Sequence, residues 1–108
     1  MLSPKPPRMI LIALTTALLF PPETSQGLRC VAVLAVNADK SGASDGAFYT
    51  AIVGAEAMDA TGATRETVRD YIIDQVRIVR ATKAGKAEID QCVVQMNARV
   101  AIERASTK

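Results

Sequence analysis

Two cysteines, Cys30 and Cys92, are the side chains here best suited to chemistry, and their spacing narrows which chemistry. Redox and metal sites use close pairs such as C-x-x-C, since both sulfurs must meet at one ion or one exchange partner. This pair instead encloses a loop of about 63 residues, for which the chain-entropy account of a cross-link gives about 4 kcal/mol. A structural disulfide is the expectation, with redox or metal chemistry as the alternative. Beyond the cysteines, chemistry is mostly excluded. The chain has no histidine, which removes Ser-His-Asp and Cys-His catalysis, histidine-ligated haem and most zinc sites. It has no tryptophan and only 4% aromatic residues, a poor basis for stacking bases. Glycine-rich phosphate cradles are absent.

Two fragments invite a stronger reading. Asn37 to Gly42, with Asp45 after it, imitates the first half of a calcium loop. Its twelfth position is Phe48, where a bidentate glutamate is needed. A polar turn leading to a helix cap is the better reading. Glu66, Asp70 and Asp74 fall on one charged helix face, where a solvated role is the default. No catalytic, cofactor-binding or metal-ligating residue is assigned, and no cofactor is expected.

A disulfide needs an oxidising compartment, and the N-terminus supplies an address. Lys5 and Arg8 precede an uncharged, mostly apolar run from Met9 to Phe20. Pro21 and Pro22 then halt any helix, and Ser25-Gln26-Gly27 offers small residues for cleavage. This is the layout of a signal peptide, too short to span a membrane, which takes roughly 20 apolar residues. An uncleaved anchor or a buried helix is the alternative. Arg29 before Cys30 disfavours lipidation. The expected division is a signal peptide over 1–27 and one helical domain over 28–108, exported to the periplasm or secreted. Without residues 1–27, eleven basic residues (13 less Lys5 and Arg8) face ten acidic ones (11 less Glu23). That near-balance is no nucleic-acid footprint, and no membrane association is expected once the leader is gone.

The domain reads as all-α, a small bundle of four helices closed by the Cys30–Cys92 bond. The helices are expected at about 28–37, 47–60, 65–82 and 86–104. Glycine-rich or polar breaks separate them, at 39–46, at Thr61-Gly62 and at Lys83 to Gly85. Asp45 or Ser44 is placed to cap the second helix and Thr64 the third. Period-two alternation is missing; only the VAVLAV run of the first helix offers a strand as an alternative. The third helix puts Val68, Tyr71, Ile72, Val76, Ile78 and Val79 on one broad arc, with Ile73 stranded among charges. The second helix is apolar nearly all round, which predicts burial on several sides. It is therefore expected at the centre, with Phe48, Ile52 and Ala55 inaccessible and Glu56 at a gap or paired with a base.

The fourth helix carries two apolar stripes. Ile89, Cys92, Val93, Met96 and Val100 form the core face. Ala87, Val94, Ala98, Ala101 and Ile102 lie on another side. These are either scattered surface residues or an exposed seam for a homodimer or protein partner. Val94, Ala98, Ala101 and Ile102 are the candidate interaction residues.

Arg29-Cys30-Val31, the Phe48-Tyr49 pair with Gly54, and Cys92 on the last helix give the chain a resemblance. It is similar to a loose group of small exported two-cysteine helical proteins of alphaproteobacteria. That likeness implies a helical fold and a periplasmic address, and no activity. Through Cys30 and Cys92 alone it also resembles, in architecture, the HdeA-like acid-stress chaperones of the periplasm. The functional expectation is an exported protein-interaction module of chaperone-like, inhibitor or immunity type, working through an apolar helix face. The alternative is a small-ligand binder or carboxylate-dependent enzyme of the cell envelope. A concave site gathering Arg69, Arg80 or Glu56 over an apolar floor would mark that alternative.

Overall fold

The prolines expected to halt a helix start one. In the computed structural model, which describes residues 20–38 and 45–106, helix α1 runs Pro22–Val36. Its start lies six residues before the expected Leu28. Pro21 is extended and Pro22 occupies the first turn. Proline suits that position because its missing N–H has no intrahelical partner there anyway. Glu23 in the same turn favours the positive end of the helix dipole. The leader reading of residues 1–19, and most of the calcium-loop-like fragment, lie outside the described residues. Phe20, the end of the apolar leader run, packs with the domain. It is 2% exposed, and its ring meets Tyr71 edge-on with centroids 4.9 Å apart.

The other helices are α2 (Gly46–Thr61), α3 (Arg65–Thr82) and α4 (Lys86–Ser106). Among the described residues there is no strand, and no helix is long and apolar enough to cross a membrane. The all-α expectation with four helices and one disulfide therefore holds, and the VAVLAV run is helical. Thr64 caps α3 as expected, its hydroxyl accepting from the Thr67 N–H at 3.1 Å. Asp45 stands before α2 without capping it; its carboxylate accepts instead from Arg104 Nη2 at 3.1 Å. Gly62 closes α2 in the left-handed conformation, φ 74°, which glycine adopts without a Cβ clash. Lys83 ends α3 with φ 63° and no such freedom.

The order of packing differs from the expectation. Both α1 and α2 pack against all three other helices, α1 the more extensively, while α3 and α4 share no packing. Leu28, Cys30, Val31, Ala32, Val33 and Leu34 are all buried. The expected centre, α2, buries Tyr49, Ile52, Val53 and Ala57 but leaves Phe48 38% exposed and Ala55 exposed. The physical reason is where the large side chains fall. Those of α1 run together over 28–34 and are buried there, whereas one side of α2 carries Ala51 and Ala55, which bury little area and stay exposed. Where α1 meets α2 the backbones come close: a Cβ on Gly27 would stand 3.1 Å from Val53 Cγ1. On α3, Val68 and Val79 are buried. Ile78, at the edge of its expected arc, is exposed, as is Ile73.

Candidate functional site

The arrangement is built around α4, and its inner side is fully occupied. Cys92, Met96 and Val100 are buried. Cys92 is bonded to Cys30, with 5.2 Å between the Cα atoms. Three ion pairs then tie the flanks of α4 to its neighbours. Arg29 Nε lies 3.0 Å from Glu88 Oε2, beside the disulfide. Arg99 pairs with Glu56 through both guanidinium Nη atoms, so Glu56 has the basic partner expected of it. Arg104 pairs with Asp45 and sits over the Phe48 ring, 5.5 Å from its centroid. Gln95 donates to the Tyr49 hydroxyl at 3.1 Å.

These contacts leave one side of α4 uncovered. Val94 is 67% exposed and Ile102 59%; Ala98 and Ala101 are exposed beside them. All four candidate interaction residues lie on this outer side, so they sit where a partner can reach them. Their spacing produces this: 94, 98, 101 and 102 share one helical face, turned away from Cys92 and Met96.

Titration behaviour follows from the contacts. Arg29 hydrogen-bonds Glu88 and holds its carboxyl below the usual range, against the opposing effect of burial. Burial pushes the Tyr49 phenol up, and the Gln95 amide offsets part of that.

Of the three residues that would each mark a ligand site, Arg69 meets the description, together with Arg65 over an apolar floor, while Arg80 and Glu56 lie elsewhere. Arg69 lines a groove of about 510 Å³ between α2 and α3. Arg80 lines a separate depression with Val36 and Lys83. Glu56 is engaged by Arg99 on a third side. Among the described residues no group of three or more His, Cys, Asp or Glu is placed to hold a metal ion.

One feature escaped the sequence reading: an uncovered apolar side of α2. Phe48, Ala51 and Ala55 are exposed there. The signal was present, since a helix apolar all round is buried on several sides. It does not say whether its own chain supplies every side. No protein-family model, curated protein or solved structure matches this chain.

Proposed function

We propose that the chain is an exported protein-interaction module, of chaperone-like, inhibitor or immunity type, that binds a protein partner through the outer side of α4. The observation that carries this reading is the exposure of Val94 and Ile102 on a helix whose inner side and flanks are tied to its own fold. Single exposed apolar residues are ordinary, but a contiguous apolar patch marks an interaction site. The bonded cysteine pair and the Lys5/Arg8 apolar leader pattern support export. The four-helix scaffold holds the face rigidly, which lowers the entropic cost of binding.

The test is a photo-cross-linking residue at position 94 in exporting cells, with and without Ile102→Asp. A discrete adduct is expected, lost with Ile102→Asp while the Cys30–Cys92 bond and the thermal melt are retained. No adduct, or one indifferent to Ile102→Asp, would remove the reading.

A further inference from the structure

The uncovered side of α2 has a pattern of its own. Phe48, Ala51, Ala55 and Met58 follow a 3-4-3 spacing along one helix face, the spacing of a seam that receives another helix. Phe48, Ala51 and Ala55 are exposed and Met58 is half-buried. The two alanines lie between two grooves and line both. The grooves differ in their charged ends. On the α3 side the polar ends are Arg65 and Arg69, with no carboxylate. On the α4 side they are Glu56, Asp59 and Glu103; Arg99 already holds Glu56, and Arg104 lies over Phe48 while paired with Asp45, so Asp59 is the carboxylate placed to meet a partner's arginine. The side chains of Arg65 and Asp59 make no hydrogen bond or ion pair among the described residues. Arg69 is held only loosely, 3.8 Å from Asp70.

We propose that this side of α2 is a self-association surface that receives α2 of a second copy, with the two helices parallel. The charges select both the partner and the orientation. A two-fold axis along α2 exchanges its sides, so each arginine groove faces the partner's carboxylate groove. An axis across α2 would set arginines against arginines, which is repulsive. The small side chains of Ala51 and Ala55 let the two backbones approach, and Phe48 packs at one end of the seam. An apolar amphiphile would use only the arginine groove and leave Asp59 and Phe48 unexplained; a second copy uses both flanks. The surface is separate from the outer side of α4, so the proposal stands without the function proposed above.

Sedimentation equilibrium of the oxidised chain at neutral pH tests it. The wild type is expected to dimerise, more weakly as salt is raised, because the flanking pairs are screened. Arg65→Glu and Asp59→Arg should each weaken the dimer about tenfold or more, and Arg65→Glu with Asp59→Arg should recover most of the loss. Arg65 opens α3 and Asp59 lies in the last turn of α2. Both reversals therefore suit the local helix dipole and keep the fold. Val94→Asp with Ile102→Asp should leave this dimer unchanged. A monomer at all concentrations, or a dimer indifferent to the single reversals, overturns the proposal. So does a failure of the double reversal to rescue. A monomer that binds dodecyl phosphate, and loses it with Arg65→Glu, assigns the groove to an anionic amphiphile and also overturns it.

Discussion

Arg29 of α1 and Glu88 of α4 are joined by two hydrogen bonds, Nε to Oε2 at 3.0 Å and Nη2 to Oε1 at 3.1 Å. They share one surface depression with Cys30 and Cys92. The same helix pair is thus clamped twice, once covalently and once by charge. A fork-to-fork guanidinium–carboxylate pair is the strong geometry for such a contact. It is also the pH-sensitive half of the clamp.

Glu88 has a folded pKa below its ordinary value of 4.5, because Arg29 bonds the ionised form. A depressed carboxyl contributes stability that is present above the unfolded pKa and lost as pH falls through the folded one. The thermal midpoint is therefore expected to fall as pH drops below about 4.5. Glu88→Gln should make that acid-side fall shallower and lower the midpoint at pH 7. The pair is partly exposed, so the effect is modest. Acid limbs of equal slope in melts from pH 7 to pH 2 would show that the pair is not responsible.

Tyr49 sets the opposite limb. Its ring is 1% exposed, and burial raises the phenol above its ordinary 10.0. A raised acid is folded in its neutral form, so its contribution is intact below the unfolded pKa and lost as pH rises through the folded one. Stability is expected to fall above pH ~10. Tyr49→Phe should flatten that limb and cost about 0.5–1.5 kcal/mol at neutral pH through the lost Gln95 bond. Ultraviolet titration of the phenolate, run beside the melts, checks both parts.

Phe20 fills core space against Tyr71. Phe20→Ala is expected to cost about 3–5 kcal/mol, as for other buried phenylalanines. A chain starting at Leu28 loses Phe20 and the opening of α1 together, and should be destabilised at least as much as the point variant. Urea unfolding of chains starting at Phe20 and at Leu28 measures this, and the intact mass of exported protein shows which start occurs. Equal midpoints for the two chains would make the Phe20 contact dispensable.

Lys83 carries φ 63° with ψ 140°, a region that side chains bearing a Cβ rarely adopt. Its backbone N–H still bonds the Val79 carbonyl at 2.6 Å, so the end of α3 is held in that shape. Lys83→Gly relieves the strain and is expected to stabilise by about 1 kcal/mol, against the entropy glycine adds to the unfolded chain. A lower midpoint in urea would show that the lysine is not strained.

Local features were legible from residue order because they depend on near neighbours. Thr64 ahead of α3, Gly62 after α2 and the 65–82 span follow from capping, backbone freedom and 3.6-residue periodicity. The Cys30–Cys92 bond followed from compartment and count. The exposed side of Val94 and Ile102 followed from their angle to Cys92 and Met96. The places of Pro22, Asp45, Phe48 and Phe20 were not legible in this way. Proline both stops and starts helices, and only a chain that packs from Phe20 onward shows Pro22 to be a start. Asp45 had Arg104 as a rival partner from 59 positions away. An apolar helix says that it will be covered, but not by what. Helix α1 is covered more fully than α2 because its large side chains run together over 28–34, while one side of α2 carries alanines that bury little area. That covering comes from helices distant in sequence, so only the tertiary structure decides it.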